Sequence, residues 1–219
     1  MEQKKKELFI NLLLQWFEEN KRSFYWRENQ LTPFQFLIAE LMLQKTNANQ
    51  VEKIFPEFIK KYPDLESLHR LSQEQLANIL QPLGLFNRRA RDLLKTVKFI
   101  LEQGGTIPKT KKELMKLPGV GEYIANALRC FAFHEPVPII DANVGRVIKR
   151  VFSFPVKKAP SRDKKLNEFM EHLIPKEHYK EFNLALLDFA ALMCTPKNPH
   201  CEECPLIEIC NYANTLVLK

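Results

Sequence analysis

No run in this 219-residue chain approaches the ~20 consecutive apolar residues that a helix needs to cross a bilayer. A helical membrane span is therefore excluded. Glycine is scarce, with six residues, and no long alternation of β-branched residues occurs. Sheet-rich sandwiches and barrels are disfavoured on both counts. Internal repeats and low-complexity segments are absent as well, which removes solenoids and disordered tracts. A signal peptide is also missing. Met1-Glu2-Gln3-Lys4-Lys5-Lys6 is basic, but Gln15, Glu18 and Glu19 interrupt the apolar residues after it. Leu8, Leu12, Leu13, Trp16 and Phe17 give that stretch an amphipathic helical pattern instead. A cytoplasmic address follows. Structural disulfides are rare there, so the five cysteines need another explanation.

What is present is positive charge and helical periodicity. Lys and Arg number 33 against 26 Asp and Glu, for a net charge of +7. That balance favours polyanions, nucleic acid first and an anionic membrane surface second, with a plain basic exterior equally open. The 45% hydrophobic content is enough for one globular unit or two closely packed lobes. Apolar residues recur at helical spacing almost throughout, which predicts an all-α fold.

Thr32-Pro33-Phe34-Gln35 carries a capping-box pattern with proline in the first turn. It predicts a helix running to about Asn49. Further helices are predicted from Val51 to about Lys61, from Ser72 to near Gly84, and from Asn87 to Glu102, where Gly104-Gly105 closes the last. A short helix at 111–116 leads into Leu117-Pro118-Gly119-Val120-Gly121. Helices from Glu122 to Phe133, from Asp141, and from Glu181 to Met193 follow. The basic stretch 157–165 is predicted to be a solvated loop.

Cys194, Cys201, Cys204 and Cys210 form C-x6-C-x2-C-x5-C. Four thiolates suit zinc or an iron–sulfur cluster. Zinc ribbons usually use two CxxC pairs, whereas only Cys201 and Cys204 form one here. Spacing alone leaves zinc open. Cys130 lies apart in an apolar helix and is expected to be a core thiol.

The cysteine spacing resembles that of the endonuclease III superfamily. Leu117–Gly121 resembles the hairpin of its helix-hairpin-helix motif, and Ile140-Asp141-Ala142-Asn143-Val144-Gly145-Arg146-Val147 resembles its catalytic-aspartate segment. The three motifs stand in the superfamily's order, and similarity runs from about Phe24 to Cys210. The resemblance implies a [4Fe–4S] cluster on the four cysteines and two helical lobes. One lobe, residues 24–136, would be a six-helix barrel with the helix-hairpin-helix. The other, residues 1–23 and 137–219, would be the iron–sulfur cluster domain. DNA would bind across the cleft, with the target base flipped towards the aspartate.

Physical chemistry adds roles to the motifs. Gly119 and Gly121 permit a tight turn whose free N–H groups could hold a phosphate, although an ordinary helix–helix turn fits that pentapeptide too. Asp141 opens a helix, so it can be a simple N-cap. A helix N-terminus favours negative charge, and a carboxylate is what a developing oxocarbenium sugar needs. Glu40 is flanked by apolar residues, a setting in which an acid is usually just an exposed helix position. The run Glu40–Thr46 nevertheless resembles MutY-type adenine glycosylases and T/G-mismatch (Mig-type) glycosylases, which implies an active-site glutamate that moves a proton.

The position two past the second hairpin glycine is a lysine in the superfamily's lyases, which act through a Schiff base. Here it is Tyr123, and a phenol cannot form an imine. Neither Lys116 nor Lys149 matches that position. A monofunctional glycosylase is expected. Tyr123, Phe182-Asn183-Leu184 and Leu83-Gly84-Leu85-Phe86-Asn87-Arg88-Arg89-Ala90 resemble the Mig type, which implies Leu184 in the base pocket and removal of thymine, and of uracil, opposite guanine. With nine residues after Cys210, the 8-oxoguanine-recognising domain of the MutY type is expected to be absent. Gln44-Lys45 departs from the Mig-type pair of arginines towards the MutY pattern. Adenine removal from A:G or A:8-oxoguanine therefore stands as the alternative, with a non-catalytic iron–sulfur DNA-binding module behind it. DNA contacts are expected from Gln44, Lys45, Asn87, Arg88, Arg89 and the hairpin residues Gly119, Val120 and Gly121. Lys197 and His200 could add a phosphate contact. The expected partner is double-stranded DNA with a mismatched base, bound by a monomer associated with the nucleoid.

Overall fold

The computed structural model describes residues 2–217 and is all-α, with no β-strand among the described residues. No described helix is long and apolar enough to cross a membrane. The chain divides into two compact units, Met1–Arg22 with Glu135–Lys219, and Ser23–His134.

Helix α1 (Glu2–Asn20) opens the first unit. Its buried stripe is Phe9, Leu13 and Phe17, at i, i+4 spacing, while Leu8 is exposed. Leu12, Leu13, Trp16 and Phe17 of the predicted apolar face meet the core, but Phe9 takes the place expected of Leu8 and packs edge-on against Phe152 and Phe182.

The second unit holds α2 (Tyr25–Glu28), α3 (Pro33–Leu43), α4 (Ala48–Glu52), α5 (Phe55–Lys61), α6 (Leu65–His69), α7 (Gln73–Leu80), α8 (Phe86–Glu102), α9 (Lys111–Leu114) and α10 (Glu122–Ala127). The capping box of α3 forms as predicted. Thr32 Oγ1 accepts from the Gln35 N–H at 3.2 Å, and Gln35 Oε1 accepts from the Thr32 N–H at 3.1 Å. The helix stops at Leu43 rather than near Asn49, because Lys45 turns left-handed at φ 55° and a guanidinium from α8 takes the terminal carbonyls. The helix predicted from Val51 to Lys61 is two helices, α4 and α5. Pro56 sits in the first turn of α5, where its missing N–H costs no hydrogen bond. After α10 the chain widens into a π-turn over Leu128–Ala132. Leu37, Ile38, Met42, Phe55, Leu76, Leu80 and Leu93 are fully enclosed, each contributing ~1.5–3 kcal/mol relative to exposure.

The first unit resumes with α11 (Ala142–Phe152), α12 (Lys164–Leu173), α13 (Tyr179–Leu192) and α14 (Asn211–Val217). Neither α12 nor α14 is predicted from the sequence pattern. The 157–165 stretch is tied down rather than loose: Asp163 is buried and accepts from the Lys157 N–H at 3.0 Å, and α12 starts at the next residue. Helix α13 packs along α1. Trp16 meets Phe189 edge-on at 5.2 Å, and the buried Asp188 receives the Arg22 N–H and Nε at 2.9 and 2.7 Å.

Candidate functional site

In the second unit the decisive side chain is Glu40. It lies on α3 with 5% exposure, not on the solvent face usual for such an acid. Its Oε2 atom is buried without a hydrogen-bond partner. Burial pushes its carboxyl up to about 7, opposed by the positive charge of Arg27. A carboxyl with that value can give or take a proton near neutrality.

The hairpin links α9 to α10, and two side chains hold it. Gln44 Nε2 donates to the Gly119 carbonyl at 2.7 Å, and Thr96 Oγ1 donates to the Pro118 carbonyl at 2.6 Å. Gly119 has φ 80°, a left-handed conformation that favours glycine, and a Cβ there would also press on Leu41 Cδ2 at 3.3 Å. Gly121 has ordinary extended backbone at φ −101°. Val120 corrects the expectation of free donors. Its side chain is buried and its N–H bonds the Leu117 carbonyl at 3.1 Å. Tyr123 is half-buried in the first turn of α10.

Arg89 also departs from its expected place on a DNA-facing surface. It is buried, and its guanidinium donates to the carbonyls of Leu41, Met42 and Gln44 and to Thr46 Oγ1 at 2.7–3.0 Å. It therefore caps the C-terminus of α3, which ends three residues after Glu40. Gln44, Lys45, Asn87 and Arg88 are exposed, and Gln44, Lys45, Arg88, Leu85 and Gly119 surround one surface depression. Leu85, given no role from the sequence, lines the same depression. It is 57% exposed with φ 49°, between Gly84 and the basic α8.

In the first unit Asp141 is the N-cap of α11. Its Oδ1 accepts from the Val144 N–H at 2.7 Å and its Oδ2 from Asn143 Nδ2 at 2.8 Å. Asn143 Oδ1 in turn accepts from Arg146 Nη1 at 2.8 Å. Arg146 continues to the end of α13 and just beyond it, donating to the carbonyls of Ala190 and Cys194 at 2.8 and 3.0 Å. A continuous set of hydrogen bonds thus joins the aspartate to the first cysteine of the cluster motif. Leu184 is half-buried on α13.

Cys194, Cys201, Cys204 and Cys210 line one cavity together with Val151, Leu206 and Tyr212. Burial raises the Cys201 thiol and pushes Cys204 up to about 11, so a thiolate set there needs compensating positive charge. Arg150 supplies part of it: its Nη1 lies 3.3 Å from Cys194 Sγ, and its guanidinium stacks on Tyr212. Among the described residues no three His, Cys, Asp or Glu side chains converge as one metal ion would require. Four soft donors spread around a void fit a multi-atom iron–sulfur cluster better than a single zinc. Cys130 is buried in the other unit, in the π-turn, as a core thiol would be.

The helical fold, the hairpin and the cysteine loop together define a known class. Residues 38–176 match the family model of the HhH-GPD superfamily base excision DNA repair proteins, and residues 194–210 match the iron–sulfur binding domain of endonuclease III. The chain belongs to the HhH-GPD superfamily and carries a [4Fe–4S] cluster. Among curated relatives, the thymine/uracil-DNA glycosylase of Methanothermobacter thermautotrophicus is 34% identical over 95% of both chains. The thymine-DNA glycosylase of Aeropyrum pernix is 36% identical over 92% of each. The solved structure of a thermostable thymine-DNA glycosylase matches with a TM-score of 0.92 at 34% identity, covering 97% of this chain and 98% of that one.

Proposed function

We propose that this protein is a monofunctional DNA glycosylase that hydrolyses the N-glycosidic bond of thymine, and of uracil, mispaired with guanine. The observation that carries the chemistry is Glu40, an enclosed carboxyl with an unpaired oxygen and a value raised to about 7. The choice of base rests on relatives that share this chain's length and are named for thymine and uracil.

A mispaired thymine costs less to extrude than a paired base. Leu85, an exposed apolar side chain beside Gln44 and Arg88, suits a wedge that enters the stack behind it. As the bond between C1′ and the base nitrogen breaks, positive charge grows on the sugar and the Asp141 carboxylate stabilises it. Water adds to C1′, its hydroxyl stays on the sugar, and one proton leaves with the base. Glu40 moves that proton. Tyr123 offers no amine, so no Schiff base forms and the strand stays intact. Leu184 lines the base pocket. Gln44, Lys45, Asn87 and Arg88 contact the DNA, with the hairpin at Gly119 and Gly121. Cys194, Cys201, Cys204 and Cys210 are the four cluster ligands. The cluster supplies charge and cross-linking, while the chain's own side chains carry out the hydrolysis.

The protein works as a monomer on cytoplasmic, nucleoid-associated DNA. Duplexes containing T:G, U:G, A:G and A:8-oxoguanine, incubated with the protein and then treated with or without alkali, test the proposal. Breaks at T:G and U:G only, and only after alkali, are expected. Breaks at adenine would establish the alternative substrate, breaks without alkali would overturn the assignment of Tyr123, and tight binding without breaks would mean a non-catalytic module.

A further inference from the structure

Asn183 is a polar residue 1% exposed in the middle of α13, next to Leu184, and the reaction as described leaves it without a role. Two of its hydrogen bonds reach the segment that leads into Asp141, and a third returns to the first residue of its own helix. Its Oδ1 accepts from the Ile139 N–H at 2.9 Å, and its Nδ2 donates to the carbonyls of Val137 and Tyr179, each at 3.0 Å. Residues 134–141 form no helix or strand. In extended backbone the carbonyl of one residue and the N–H two residues on face the same edge. Asn183 fills the Val137 and Ile139 groups on that edge as a neighbouring strand would. Ile139 and Ile140 are buried, so water cannot substitute for the amide, and Pro138 has no N–H with which to anchor the segment itself.

Asp141 follows directly, and α11 fixes its carboxylate from the downstream side. We infer that Asn183 is a positioning residue for the reaction. It fixes the upstream approach to Asp141, so that the carboxylate is clamped from both sides against displacement towards or away from the sugar. The inference rests on the glycosylase reading above. It also explains why one helix carries Asn183 and Leu184 in succession: the base-lining residue and the strut of the aspartate share a rigid element.

Single-turnover release of thymine from a T:G duplex tests this in the full-length protein loaded with its cluster. Asn183→Leu and the milder Asn183→Ala are compared with wild type, each rate normalised to the protein that binds a duplex carrying a non-hydrolysable thymidine analogue. A rate loss of ~100-fold is expected for Asn183→Leu, the scale of a misplacement of about 1 Å, with affinity for the analogue duplex unchanged. In an Asp141→Asn background neither substitution should slow the residual reaction further, because both act through the same carboxylate. Rates that stay at the wild-type level per competent molecule, or losses that multiply in the Asp141→Asn background, would overturn the inference alone. Wild-type protein that releases no thymine would overturn the glycosylase reading instead.

Discussion

Glu40 shows how a single residue joins stability to chemistry. Its folded value of about 7 lies above the ordinary carboxyl value, so the folded state holds a proton that the unfolded chain has already released. Stability is therefore present at acid pH and is lost as pH rises from about 4.5 through 7, by on the order of 3 kcal/mol in full. Glu40→Gln should melt at a higher temperature than wild type at pH 8 and at nearly the same temperature at pH 4.5. The same variant should lose most of its activity, together with the wild-type pH dependence near 7. Asp141→Asn should abolish most turnover while duplex affinity persists, as measured by base release beside a gel-shift titration; retained activity would remove its assigned role. Tyr123→Lys should create some lyase activity, visible as a borohydride-trapped covalent complex with DNA. Aspartate and tyrosine were legible as candidates because flanking motifs mark them. The burial of Glu40 was not legible, since its apolar neighbours in sequence fit a surface helix equally well.

Arg89 decides the outcome at the scale of the element. Sequence pattern groups it with Asn87 and Arg88 as a basic surface, yet its guanidinium closes three carbonyls at the end of α3. Arg89→Met should cost about 2–3 kcal/mol in denaturant unfolding, from the orphaned buried carbonyls. Arg89→Lys should recover little of it, because an ammonium cannot span the same fork of acceptors. The helix starts were readable where Thr32, Ser72 and Asp141 cap them. The ends were not readable when tertiary contacts set them. The break at Lys45 depends on a side chain 44 residues away, and α12 depends on Asp163 binding back to Lys157. The first signal lies far outside any local window, and the second is a side-chain contact across six residues that apolar periodicity does not report.

For the whole molecule, the net charge of +7 and the exposed Lys45 and Arg88 predict salt-sensitive DNA binding. Arg88→Ala should reduce the slope of log affinity against log salt by about one if it meets a phosphate. Purified protein should be brown, with iron and acid-labile sulfide in equal amounts and no zinc; a colourless zinc protein would contradict the cluster. The four cysteines point to the superfamily in company with the hairpin and the aspartate segment, and the structure adds that they ring one cavity beside Arg150. They do not distinguish thymine from adenine. That distinction rests on Tyr123, Leu184 and relatives matched over nearly their full length.

The most direct measurement is the identity of the free base. One duplex carrying both a T:G and an A:8-oxoguanine pair is incubated with the protein, and the released bases are separated by chromatography. Release of thymine with no adenine is predicted. Release of adenine without thymine would contradict the account.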